Sequence, residues 1–254
     1  MQLIQIYRTR FRSGIVAEFL PPQKESSQKV AILAPGAPGY PGSKVELMML
    51  LSRKGFFTFL PRYRGTWESD GTFLEHSPHE DIVSMIDELQ LGFQDVWSSA
   101  EYRIHAPEVY LIGGSFGGAA SILASRDSRV KKAVGISAVT DWRDQQHTVE
   151  PLNLMSEYVE KAFGPTYRGV PYAWEKLTRG DFYNPTHEQT SIDGKKLLLI
   201  HAKDDKVVHA NPAELFAKVT GAKFVLLSSG GHMGVGSAKE QKIWKHIEKF
   251  FNAR

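Results

Sequence analysis

The run Val109-Tyr-Leu-Ile-Gly-Gly-Ser-Phe-Gly-Gly-Ala-Ala-Ser-Ile-Leu123 constrains the fold of this chain more than any other stretch. Val109 to Ile112 read as a buried strand, and a helix-like run starts directly after Gly113-Gly114-Ser115-Phe116-Gly117. Small residues two positions before and after a serine let strand and helix approach closely while the chain turns sharply between them. A serine at such a turn takes a strained backbone and stands clear of the sheet. It also lies among the free N–H groups of a helix N-terminus, where an oxyanion can be stabilised. Glycine-rich turns containing serine are common, so the pentapeptide alone also fits a plain strand–helix turn.

The flanking segments alternate in the same way. Leu3 to Tyr7 and Gly14 to Phe19 read as a hairpin joined through Arg10–Ser13, and Pro21 to Gln28 as a polar loop. Lys29 to Ala34 is a buried strand followed by Pro35-Gly-Ala-Pro-Gly-Tyr-Pro-Gly42; Ser43 with Glu46 then predicts a capped helix. Phe56 to Leu60 is the next strand, and Ile82, Met85, Ile86 and Leu89 recur at helical spacing. Strands are predicted again at Val130–Ala138, Lys195–His201 and Lys223–Ser228, with helices at Pro212–Val219 and Ala238–Phe251. Residues from about Asp141 to Asn184 break the alternation and read as an insertion of a few helices. The pattern implies a mostly parallel sheet with helices on both faces, entered through an antiparallel hairpin. In such sheets ligands bind beyond the carboxyl ends of the strands, which is where every chemically suggestive loop of this chain falls.

Composition narrows the function classes. With 254 residues, the chain can build one large α/β domain or two small ones. The net charge is only +3 and its cations are scattered without a basic, aromatic-interleaved run, so a nucleic-acid partner is not expected. No cysteine is present, which removes disulfides, thiolate metal sites and cysteine nucleophiles together and fits a reducing compartment. The first ten residues alternate like a strand and lack the apolar core of a signal peptide; no segment approaches a membrane span. A cytoplasmic location is the default expectation. The Pro35–Gly42 loop fails as a dinucleotide fingerprint, since its glycines stand three apart and its prolines delete donors, so no cofactor is expected. His76 and His79 are too isolated from other ligands to argue for a metal.

A serine hydroxyl needs a base, and the base needs a group to orient it. Downstream of Ser115, the strand Leu197–Ile200 delivers His201-Ala-Lys-Asp204-Asp205, and the strand at Phe224 delivers His232 in a Gly-rich loop. Asp141, at the end of an earlier strand, is a further candidate acid. The bland alternative makes Asp204 and Asp205 solvated turn residues and His232 an inconsequential loop histidine. His201 reads as a buried structural residue.

With Ser, Asp and His in this order, each behind its own strand, the chain resembles the α/β-hydrolase superfamily over nearly its whole length. The resemblance implies one α/β-hydrolase domain over residues 1–254, with an eight-stranded-type, mostly parallel sheet and a helical lid at about 144–186. It implies Ser115 as nucleophile, His232 as base and Asp205 as acid, since the family's acid lies four residues after the strand-terminal His and three before a Val, here Val208. Asp204 and Asp141 remain the alternatives. The oxyanion hole is expected to use the N–H of Phe116 and, by analogy, that of Ala37, because Pro35 and Pro38 have none to offer. Relatives usually carry His where this chain has Pro35, a departure that changes how the loop is held.

Local features also resemble prolyl-oligopeptidase-type peptidases and their esterase relatives, without the propeller domain: Arg62-Tyr-Arg-Gly-Thr-Trp-Glu-Ser-Asp-Gly71, Val139-Thr-Asp-Trp142 and the Gly-Gly-Ser-Phe-Gly-Gly turn. The activity so implied is hydrolysis of small or medium carboxylic esters, with cleavage of short peptides or aminoacyl groups as the alternative. A non-catalytic binding protein of the same fold is the reading from another class. Trp142, Tyr158, Phe163, Tyr167, Tyr172 and Trp174 either line an acyl pocket or pack the lid on the core. Oligomeric state is not readable from the sequence.

Overall fold

The computed structural model describes residues 5–23, 28–169 and 172–253. The strands are β1 (Tyr7–Arg10), β2 (Val16–Leu20), β3 (Lys29–Ala34), β4 (Phe57–Pro61), β5 (Phe93–Gln94), β6 (Glu101–Tyr102), β7 (Glu108–Gly114), β8 (Val130–Ile136), β9 (Leu197–Ala202) and β10 (Lys223–Leu227). The helices are α1 (Val45–Arg53), α2 (Pro78–Leu89), α3 (Phe116–Ala124), α4 (Leu152–Phe163), α5 (Glu175–Thr178), α6 (Ala210–Thr220) and α7 (Gln241–Phe251). Eight strands form one sheet in the order β1-β2-β4-β3-β7-β8-β9-β10, and β5 pairs only with β6. From β4 to β10 every neighbouring pair runs parallel, while β1 and β2 are antiparallel.

Both faces of the sheet are covered, which explains why the central strands read as continuous apolar runs rather than as alternation. Along β3, Val30, Ile32 and Ala34 join the core shared with α2, α3 and α6, whereas Ala31 and Leu33 face α1 and α7. β7 divides likewise, with Val109 and Leu111 on the first face and Tyr110 and Ile112 on the second. The stripe Ile82, Met85, Ile86 and Leu89 of α2 is wholly buried, as its spacing requires.

Three local expectations are corrected. The first strand is Tyr7–Arg10 rather than Leu3–Tyr7 (Leu3 and Ile4 lie outside the described residues), because ion pairs of Arg8 with Glu68 and Arg10 with Asp70 let a charged stretch continue the hairpin. Ser43 does not cap α1. Its hydroxyl donates to Tyr40 O at 2.6 Å, Glu46 pairs with Lys239, and Gly42 at φ +71° turns the chain so that the helix begins only at Val45. The Ser-x-x-Glu signal operates instead at Ser77, whose N–H donates to Glu80 Oε1 at 3.3 Å at the start of α2. The last helix starts at Gln241, preceded by a single 3₁₀ turn over Val235–Lys239.

The insertion contains α4, α5 and short 3₁₀ turns. It is stitched to the loop after β4, with Thr66 bridging Tyr167 and Phe73 bridging Gly169. No helix among the described residues is long and apolar enough to cross a membrane.

Leu111 is fully buried at the centre of the sheet, whereas Leu215 on α6 is 64% exposed. Leu111→Ala should cost about 2–5 kcal/mol through lost burial and a residual cavity, and Leu215→Ala about 0.5 kcal/mol or less. Urea unfolding of the two variants, with equal m-values, checks this ordering.

Candidate active site

Ser115 stands between β7 and α3 with φ +53° and ψ −121°, a conformation that L-residues rarely adopt. The turn is held by its own backbone: Ser115 N–H donates to Ile136 O at 2.9 Å, and Gly118 N–H donates to Ser115 O at 2.9 Å. Glycine is required here by contact. A Cβ on Gly113 would stand 2.1 Å from Gly117 O, and one on Gly117 would stand 2.2 Å from Ala34 O. A Cβ on Gly114 would meet the backbone N of Val235 at 2.2 Å, so the loop carrying His232 presses directly against the residue before Ser115.

Asp205 and His232 are brought together. His232 Nδ1 lies 3.0 Å from Asp205 Oδ2. Asp205 Oδ1 accepts the N–H groups of Val207 and Val208, both at 3.0 Å. His201 is fully buried, with Nε2 2.8 Å from Val208 O and 3.4 Å from Asp205 Oδ2. Burial pushes the Asp205 carboxyl up, but the contacts with His201 and His232 and the Val208 N–H outweigh it and hold the group well below the usual carboxylate range. An ionised Asp205 only accepts, so His232 Nδ1 carries the proton and Nε2 is left as the basic nitrogen.

The other carboxylates are placed elsewhere. Asp141 accepts from Arg143 Nε at 3.0 Å, Arg143 Nη2 at 2.7 Å and Asn184 Nδ2 at 3.2 Å, and bonds no histidine among the described residues. Asp204 Oδ1 accepts the N–H groups of both Gly230 and Gly231 at 2.9 Å. It therefore ties the backbone just ahead of His232, a role that residue type and spacing did not announce. Only the pairing of two adjacent carboxylates with a Gly-Gly-His loop could have hinted at it.

Ala37, Ser115 and Phe116 line one small, half-open pocket, flanked by Trp142, Leu152, Met155 and Trp174 of the insertion. The N–H groups of Ala37 and Phe116 have no hydrogen-bond acceptor among the described residues. Ser115 Oγ forms no hydrogen bond with His232 among the described residues. The insertion's aromatics divide by position. Trp142 and Trp174 face this pocket, Trp142 also donating to Tyr183 O at 2.6 Å, whereas Tyr158 and Tyr172 are largely exposed. Phe163 and Tyr167 pack edge-on at 5.8 Å. No group of three His, Cys, Asp or Glu residues among those described could hold a metal ion.

Residues 43–254 match the sequence model of the prolyl oligopeptidase family. No curated protein sequence matches the chain significantly. Among solved structures, the acylaminoacyl peptidase of Pyrococcus horikoshii superposes with a TM-score of 0.69 at 18% identity, over 99% of this chain and 42% of that protein. An esterase of Pyrococcus furiosus superposes with a TM-score of 0.70 at 14% identity, over 97% of this chain and 90% of the esterase. Mouse alpha/beta hydrolase domain-containing protein 10 gives 0.61 at 17% identity, over 98% and 97% of the two chains. The chain thus spans less than half of the peptidase and nearly all of the other two. At these identities the likeness establishes the α/β-hydrolase fold.

Because the folded state favours ionised Asp205, its contribution to stability is complete above the unfolded carboxyl pKa of about 3.9 and is lost as pH falls toward the depressed folded value. Asp205→Asn should therefore be less stable than the wild type between pH 5 and pH 7, with the gap narrowing on acidification below about pH 4. Denaturant titrations across this range test the sign; a gap that widens in acid contradicts it.

Proposed function

The chain belongs to the prolyl oligopeptidase family, and we propose that it is a serine hydrolase cleaving carboxylic esters of small or medium acyl groups. The observation that carries this reading is the 3.0 Å contact of His232 with Asp205, in a loop packed against the strained turn that presents Ser115. In the proposed reaction, His232 Nε2 takes the Ser115 hydroxyl proton as Oγ attacks the acyl carbon. The oxyanion of the tetrahedral intermediate accepts from the N–H groups of Ala37 and Phe116. Collapse expels the alcohol, which takes the proton from His232, and leaves an acyl-Ser115 ester. A water deprotonated by His232 then attacks this ester; the acid is released and Ser115 regains its proton. Asp205 keeps the imidazole in the tautomer that both half-reactions need.

The ester preference is supported by Val139, Trp142, Leu152, Met155 and Trp174 beside Ser115, apolar residues that suit an acyl group and share the pocket with the polar Gln145 and Glu150. The second reading is a peptidase or aminoacyl hydrolase, favoured by the family to which the chain belongs and by the likeness to an acylaminoacyl peptidase. The same triad serves either leaving group. A cytoplasmic setting remains part of the proposal.

Ser115→Ala should abolish the burst from a p-nitrophenyl acyl ester, and undiminished turnover would remove the nucleophile assignment. Asp205→Asn should lower kcat by about 10⁴, while Asp204→Asn, which keeps an oxygen acceptor for the two glycine N–H groups, should cost only a few-fold. Equal losses would place the acid elsewhere. A panel of acyl esters beside aminoacyl and dipeptidyl amides separates the two substrate readings by kcat/KM.

A further inference from the structure

The loop Pro35–Gly42 carries the Ala37 N–H, yet it makes no backbone–backbone hydrogen bond among the described residues. β3 ends at Ala34, and Pro35, Pro38 and Pro41 remove three donors. Side chains hold the loop instead. Tyr63 OH donates to Pro35 O at 3.0 Å, and Glu18, itself paired with buried Arg62 at 2.9 Å, accepts the Gly42 N–H at 2.9 Å. The grip on Gly39 is two-sided: its N–H donates to Tyr167 OH at 2.8 Å and its carbonyl accepts from Trp67 Nε1 at 2.8 Å.

Gly39 is tightly folded onto the donor turn. A Cβ there would lie 2.9 Å from Gly36 O, and a Cβ on Gly36 would lie 3.7 Å from the Ser115 Cβ. Fixing the Gly39 peptide therefore fixes Ala37, two residues away, relative to Ser115. Tyr167 suits this task because its ring is itself immobilised, 5.1 Å from Phe73 and 5.8 Å from Phe163, with its backbone bridged to Thr66. Trp67 is bound to the same segment, with its N–H donating to Thr166 O at 2.8 Å and its carbonyl accepting from Arg168 Nη1 at 2.8 Å.

We infer that Tyr167 of the insertion and Trp67 of the loop after β4 are positioning residues that set the Ala37 N–H for the oxyanion by clamping Gly39 from both sides. This inference rests on the serine-hydrolase reading. Neither residue need touch the substrate. The insertion then does more than wall the pocket, since one of its side chains preorganises half of the oxyanion hole.

The test is Tyr167→Phe, which removes one oxygen and keeps the ring contacts, with Trp67→Phe as the second variant. Turnover of a p-nitrophenyl acyl ester is measured per active site, titrated by the burst, together with binding of a boronic acid that forms a tetrahedral adduct. The expected result is a kcat per site lower by about tenfold, KM changed by less than about twofold, and boronate affinity falling in step with kcat/KM. Burst amplitude and Tm should stay near the wild-type values, and the double variant should lose less than the product of the two single losses. Full kcat per titrated site in either variant overturns the inference, as does a loss confined to burst amplitude or Tm. A wild-type burst with undiminished Tyr167→Phe turnover sinks this inference alone, whereas absence of any wild-type burst sinks the hydrolase reading and this inference with it.

Discussion

The arrangement depends on the contact of three backbones around Ser115. Gly117 lets the first turn of α3 rest on the carbonyls of Ala34 and Pro35 at the end of β3, and Gly114 lets the Gly234–Val235 backbone rest on the end of β7. These approaches leave no room for a Cβ, so they are closer than any packing of side chains. One turn thereby touches both the Pro35–Gly42 loop and the histidine loop. The parts of the candidate site come from four separate segments between Ala37 and His232, and what sets their spacing is the crossing of main chains.

Upon this frame the polar groups divide the work. Asp205 holds the imidazole of His232, Asp204 holds the two N–H groups ahead of it, and His201 closes the acid loop through Val208 O. Two neighbouring carboxylates serve the ring and the backbone of one loop. The insertion joins the same system from the other side, with Gln145 Nε2 donating to Val207 O at 2.6 Å beside Asp205 and Tyr167 bonding Gly39 in the Pro35–Gly42 loop. A segment that reads in sequence as a cover is thus bonded to two of the loops it covers.

What was legible follows from locality. The turn at Ser115, the strands before Asp205 and His232, and the α2 stripe announce themselves because strand, glycine turn and helical spacing are properties of consecutive residues. The start of the hairpin was not legible, because Arg8 and Arg10 look unlike strand interior until Glu68 and Asp70 arrive from elsewhere. Ser43 and Ser77 carry the same capping signal, and what separates them is the turn at Gly42 and the capture of Glu46 by Lys239. Tyr158, Tyr172 and Trp174 are equivalent by composition, yet only Trp174 faces the pocket with Ser115. The grip of Tyr167 and Trp67 on Gly39 depends on pairings across 128 and 28 residues, for which no local pattern exists.

Ser115 shows how such a site is kept against its own cost. A positive φ on a non-glycine residue costs about 1–3 kcal/mol, a noticeable share of the roughly 5–15 kcal/mol that holds a domain folded. The opposing force sits one residue away. The Phe116 ring lies within 6.4 Å of the rings of Tyr63, Phe73, Trp142, Trp174 and Tyr183, and its carbonyl accepts from Tyr183 OH at 2.6 Å. Relaxing Ser115 would rotate Phe116 out of that cluster, and aromatic pairs are worth about 0.5–1.5 kcal/mol each beyond their buried area. Several such pairs exceed the strain. The insertion supplies three of the five rings, Trp142, Trp174 and Tyr183. The strained serine and the cover over its pocket are therefore stabilised by one and the same cluster.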